Sequence, residues 1–136
     1  IADRAWLAGA SGGCQAEIGS GSGMAAGAIC YIKGGDTDQI GHACAMALKN
    51  LMGLVCDPVG GLVEVPCVKR NVGGAVNALP AAAMALAGIT SKVPVDQVID
   101  AMKEVGDKMD VSLRETGVGG VAGTAAAQEV VEKLGM

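Results

Sequence analysis

Residues 51 to 74, LMGLVCDPVGGLVEVPCVKRNVGG, constrain the fold more than any other stretch of the chain. Pro58 and Pro66 lack an amide donor and restrict the residue before them, while Gly60 and Gly61 permit positive φ, so regular helix is excluded between Cys56 and Cys67. The backbone there forms a loop that aims two thiols. A third, Cys14, lies in the comparable run ASGGCQAEIG, 42 residues before Cys56, which itself precedes Cys67 by 11. This spacing is neither the clustered ferredoxin run nor a paired C-x2-C zinc arrangement. Taken alone, it fits three thiolates converging on one iron-sulfur cluster, or unrelated buried thiols.

The flanking segments read as helix. A short one is expected around Ala5 to Ala8, followed by a turn at Ser11 to Gly13. From Gln15 to Lys33 the positions of Ile18, Met24, Ala25, Ala28, Ile29 and Ile32 fit a helical face, weakened by Gly19, Gly21 and Gly23 and stopped by Gly34 and Gly35. Asp36 with Gln39 three residues on forms a capping signature for a helix through about Met52, which Gly53 ends. A helix from about Lys69 to Ala87 should kink near Pro80. Pro94 opens another over residues 94 to 109, with Val95, Val98, Ile99, Met102 and Val105 on one face. After the turn-rich VSLRETGVGGVAGT, Thr124 caps a last helix that ends at Gly135. VEVPCV could form a strand, but one strand has no partner. The expected fold class is therefore all-α: a compact bundle of about five helices with glycine-rich loops.

Composition narrows the function. The only aromatics are Trp6 and Tyr31, so Ala, Val, Leu, Met and Gly must fill the interior and some helices should approach closely. A chain of 136 residues suits a single domain, residues 1–136, with a real core. A net charge of −4, scattered, offers no basic stripe, and nucleic acid is not an expected partner. Residues 71 to 91 carry no charge and are long enough to span a bilayer, yet Asn71, Asn77 and Pro80 interrupt them, so buried helix rather than membrane is expected. A start at Ile1 without a signal sequence suggests a piece of a longer, cytoplasmic polypeptide. Five cysteines, an odd number, argue against a disulfide scaffold and for reduced thiols or thiolate ligands.

Cys30 and Cys44 fall within apolar helical runs and read as core filler. His42 could complete a Cys3His zinc site, but its helical setting suits a capping or surface role.

The runs GCQAEIGSGSGMAAGA, LKNLMGLVCDPVGGLVEVPCVKRN and RETGVGG together resemble the catalytic, or alpha, part of the iron-sulfur-dependent L-serine dehydratases (L-serine ammonia-lyases), specifically its C-terminal half. The resemblance implies that Cys14, Cys56 and Cys67 hold a four-iron four-sulfur cluster and that Cys30 and Cys44 do not. It implies an enzyme, a carbon-nitrogen lyase that deaminates L-serine to pyruvate and ammonia without pyridoxal phosphate. It also implies partners: a beta subunit or beta domain, the upstream half of the alpha part, and a homo- or hetero-oligomer. The family's upstream half and serine-rich loop are absent, as is a terminal cysteine found in some members, so the isolated chain is expected to be inactive.

Three thiolates on a four-iron cube leave one iron without a protein ligand, free to bind the serine β-hydroxyl as a Lewis acid. Developing charge on that oxygen is then stabilised as in an oxyanion hole. Arg70 can grip a substrate carboxylate bidentately and Asn71 can assist; the competing reading pairs Arg70 with Asp57 or Glu64. The general base is unassigned, with His42, Asp57, Glu64 and Lys69 the nearby titratable groups. Two other functions fit the residues: a related lyase that expels sulfide from cysteine, and a noncatalytic helical half that docks onto a partner.

Overall fold

Five helices of ten or more residues and one single turn form in the computed structural model, which describes residues 1–136. The single turn is α1, Gly9–Gly12. The longer helices are α2 (Ser20–Ile32), α3 (Thr37–Asn50), α4 (Cys67–Leu86), α5 (Val95–Lys108) and α6 (Ala125–Leu134). No strand forms, and the class is all-α. VEVPCV becomes loop and the start of α4; the one β-type pairing is an isolated parallel bridge between Cys56 and Arg114.

Local signals set most helix ends. Asp36 and Gln39 form a reciprocal capping box, the Gln39 amide donating to Asp36 Oδ1 at 2.8 Å and the Asp36 amide to Gln39 Oε1 at 3.0 Å. Pro94 stands immediately before α5. Thr124 Oγ1 accepts from the Ala127 amide at 3.3 Å, and Gly135 closes α6 in the left-handed conformation at φ +68°.

Three boundaries differ from expectation. The short helix forms at Gly9–Gly12 rather than around Ala5 to Ala8. A four-residue turn is placed by its tertiary contacts rather than by its own propensity, and Trp6 is drawn to α5, its Nε1 donating to Asp107 at 2.6 Å with Lys103 Nζ 4.8 Å from the ring centre. The Gln15–Lys33 helix divides into a π-helical turn, Gln15–Gly19, and α2. The helix after the central loop begins at Cys67, two residues before Lys69, and runs through Pro80 without interruption.

The core rests on small side chains. Ala26 of α2, Ala43 and Ala47 of α3, and Ala78, Ala81 and Ala82 of α4 are fully buried against one another, so these three helices pack at short range. Asn77 ties the crossing: its Nδ2 donates to Ala47 O and to Ser22 Oγ, both at 2.9 Å, and its Oδ1 accepts from Asn50. Leu48, Val98, Ile99 and Met102 form a second core between α3 and α5. Outside these cores, Val68, Val72, Val76 and Leu79 line an exposed face of α4, and Met24, Tyr31 and Ile32 project from α2. No helix is long and apolar enough to cross a membrane.

Candidate metal centre

A third buried cluster contains Cys14, Cys56 and Cys67 with Ile18, walled by Leu51 and Leu54. Each thiol arrives by different backbone chemistry. Cys14 directly precedes the π-helical turn, a distortion that often marks functional positions. Gln15, 1% exposed, fixes that turn: its amide donates to Leu54 O at 2.8 Å, its Nε2 to Met102 O at 3.0 Å, and its Oε1 accepts from Gly53 N at 2.9 Å. One buried amide thus ties the Cys14 segment to the strand-like segment leading into Cys56.

Cys56 is held from its other side. Its amide donates to Leu113 O at 2.9 Å and its carbonyl accepts from Glu115 N at 2.7 Å. Cys67 is the first residue of α4, directly after a cis Val65–Pro66 bond. The intervening loop closes on itself, with Val59 N donating to Val65 O and Val68 N to Val63 O, both at 2.9 Å.

The three sulfurs lie within 4.8 Å of one another. Cys14 Sγ is 3.6 Å from Cys67 Sγ, and Cys56 Sγ is 3.9 Å from it. Sulfur donors of this kind select zinc and iron-sulfur chemistry over cations that prefer oxygen, so the trio could hold a metal cluster. Burial pushes the Cys14 thiol up to about 11, with the neighbouring sulfurs and Arg70 acting in opposing senses. Burial also raises Cys56, and the Cys14 sulfur raises it further. Both shifts favour the neutral thiol at Cys14 and Cys56.

Arg70 lies one turn into α4. Its Nη1 donates to Val55 O at 2.8 Å and to Asp57 Oδ1 at 2.6 Å. Burial opposes its charge, but Asp57 and the Cys14 sulfur together hold the guanidinium above its ordinary value. Asp57 is 2% exposed and both its oxygens are engaged, Oδ2 accepting from Val121 N at 2.6 Å. Gly120, at φ +59°, makes that contact possible, since a Cβ there would stand 2.2 Å from Asp57 Oδ2. Asn71 Nδ2 donates to Cys67 O at 3.1 Å, and the residue borders a cavity of about 190 Å³ lined by Ile18, Gly21, Ser22 and Gly74.

The remaining candidates separate from the trio. Cys30 is fully buried in the alanine core and Cys44 is half-buried against the α3–α5 core. His42 Nδ1 accepts from the Ser91 amide at 3.3 Å and serves the helix packing. Glu64 and Lys69 are exposed.

Two residues that no spacing pattern singles out border the site. Gly9 packs against Cys56 so closely that a Cβ would lie 2.8 Å from its Sγ, and Glu115 Oε2 lies 3.5 Å from the same point. Glu115 has φ +65° and is the one non-glycine residue with positive φ. The only signal for it in the sequence is its place in the RETGVGG run.

Comparison with known proteins agrees with this geometry. The serine dehydratase alpha chain family model matches residues 1–122. A probable L-serine dehydratase alpha chain of Bacillus subtilis is 59% identical over 98% of this chain and 45% of its own length. Its counterpart in Latilactobacillus sakei is 60% identical over 91% of this chain and 59% of its own length. The L-serine dehydratase alpha chain of Peptoniphilus asaccharolyticus is 51% identical over 96% of this chain and 44% of its own length. The chain thus spans about half the length of these curated relatives. With the family model covering nearly all of it and identities above one half, the chain belongs to the serine dehydratase alpha chain family.

Proposed function

We propose that this chain is the cluster-binding part of an iron-sulfur L-serine dehydratase, a carbon-nitrogen lyase that deaminates L-serine to pyruvate and ammonia. The observation that carries this reading is the convergence of Cys14, Cys56 and Cys67, distant in sequence, within 4.8 Å in a buried pocket. These three thiolates would hold a four-iron four-sulfur cluster. When bound, that group supplies an iron free of protein ligand, a Lewis acid for the substrate β-hydroxyl.

The chain's own residues bind and orient. Arg70 uses Nη1 on Asp57 and Val55 O, leaving Nη2 and Nε to take the substrate α-carboxylate. Asp57 fixes the guanidinium plane as a positioning residue. Asn71 braces the turn that carries Cys67 and faces the adjoining cavity, where it contacts substrate. Burial of the trio excludes bulk water and strengthens each of these electrostatic contacts. The proton acceptor is assigned outside this chain, since Asp57 is committed to Arg70 and Val121 and His42 to Ser91. The complete enzyme adds the remaining length of the alpha chain and a beta partner, and acts in the cytoplasm.

The test is anaerobic reconstitution with iron and sulfide. A brown species with thiolate-to-iron charge transfer is expected for the parent chain and for Cys44→Ala, and its loss for Cys56→Ala. Equal loss in both variants overturns the ligand assignment. The exposed apolar faces of α2 and α4 support an additional docking role for this half within the whole enzyme; serine against cysteine as substrate is decided by comparing pyruvate release from each.

A further inference from the structure

Glu115 is held in a backbone conformation that L side chains rarely adopt, at φ +65°, and such outliers cluster where a site needs a group in one place. Its amide is fixed by the Cys56 carbonyl at 2.7 Å. Next to it, Thr116 Oγ1 donates to Ser112 O at 2.9 Å. The side chain is exposed and joins none of the chain's ion pairs. Its carboxylate nevertheless lies over Gly9, 3.5 Å from where a Cβ would be, with Cys56 Sγ 2.8 Å from the same point. A side chain at position 9 would therefore stand between carboxylate and thiol.

Arg70 and Glu115 flank the Val55–Asp57 segment. Arg70 is bound to the Val55 carbonyl and Asp57, and Glu115 to the Cys56 carbonyl. A cation and an anion thus both border the short segment that carries the Cys56 thiol. Asp57 already neutralises part of Arg70, whereas Glu115 has no cation of its own. An amino acid presents the complementary pair, an α-carboxylate and an α-ammonium.

We propose that Glu115 is the group that recognises the α-ammonium of the amino-acid substrate, opposite Arg70 on its α-carboxylate. This assignment rests on the dehydratase reading of the site. The left-handed backbone at position 115 and the missing side chain at position 9 place the carboxylate beside the cysteine trio.

The experiment measures calorimetric binding of L-serine and of 3-hydroxypropionate, which keeps the hydroxyl and carboxylate but lacks the ammonium, to the complete enzyme after anaerobic reconstitution. Glu115→Gln should weaken L-serine by about ten- to a hundredfold, the loss expected for one charge-assisted contact, and leave 3-hydroxypropionate unchanged. Glu115→Gly, which relaxes the backbone and should fold at least as well, should show the same selective loss. In turnover, KM should rise with kcat little changed. If both variants bind L-serine as the parent does, or lose both ligands equally, the assignment is overturned. A fall in kcat at unchanged L-serine affinity also overturns it, in favour of a proton-transfer role. If the parent enzyme binds neither ligand, the dehydratase reading fails first and takes this assignment with it.

Discussion

Replacing Gly120 with alanine should destabilise the protein far more than the same change at Gly135, although both residues have positive φ, +59° and +68°. The left-handed backbone alone costs an alanine about 1–2 kcal/mol. At Gly135 nothing lies within 4 Å of the added Cβ, so that is the whole effect. At Gly120 the Cβ would meet Asp57 Oδ2 at 2.2 Å, its Cβ at 2.7 Å and its Cγ at 2.8 Å. Asp57 is 2% exposed and engaged at both oxygens, so it cannot swing away without giving up Arg70 or Val121. Losing one hydrogen bond to a buried charged group costs about 1.5–3 kcal/mol, which brings the expected loss for Gly120→Ala to about 3–5 kcal/mol. Urea denaturation, compared by midpoint at constant slope, reads the difference. In an Asp57→Ala background most of the excess should vanish, since two of the three clashing atoms are gone. Equal losses at positions 120 and 135, or an undiminished penalty in the double variant, would refute a packed Gly120–Asp57–Arg70 unit.

Asp57→Ala by itself should cost about 2–4 kcal/mol by leaving Arg70 without its carboxylate in a part-buried setting, while Glu64→Ala should stay within about 0.5 kcal/mol; chemical denaturation separates them. Gly74→Ala places a Cβ 2.7 Å from Ile18 Cγ2 and should cost about 1–3 kcal/mol as overpacking; Ile18→Ala in the same chain should recover part of it in a double-mutant cycle. Asn77→Ala removes hydrogen bonds to Ala47 O, Ser22 Oγ and Asn50 and should cost about 2–4 kcal/mol, read as a lowered thermal midpoint. The Arg4 guanidinium holds the Asp100 carboxyl below the usual carboxylate range, so this pair contributes at neutral pH and its contribution fades as pH falls through that lowered value. Arg4→Gln should therefore reduce the acid dependence of stability between neutral and carboxylate pH.

The helices were legible because their determinants are local. Asp36 with Gln39, Thr124 with Gly135, and the Val98–Ile99–Met102 face of α5 each act within a turn or two of themselves. The amphipathic period alone marks α5, and the small residues of α2 and α4 announce close packing. The loop between Cys56 and Cys67 was legible for the same reason, since proline and glycine dictate it residue by residue, although Cys67 itself opens α4 and Cys14 has helical backbone. The short helix expected near Ala5 forms instead at Gly9–Gly12, because so short a turn carries little local signal and a distant contact from Trp6 to Asp107 decides the segment before it.

The chain's sequence by itself determined an all-α protein with three thiols beside glycine or proline breaks and two more in helical core. Only the tertiary structure decided which of the thiols meet, that Gln15 brings the Cys14 turn to the Cys56 segment, and that Asp57 joins Arg70 to the Gly120 loop. It alone put Glu115 beside Cys56. Those contacts link segments separated by tens of residues with no shared period, and they depend on where whole helices come to rest once their small side chains are buried.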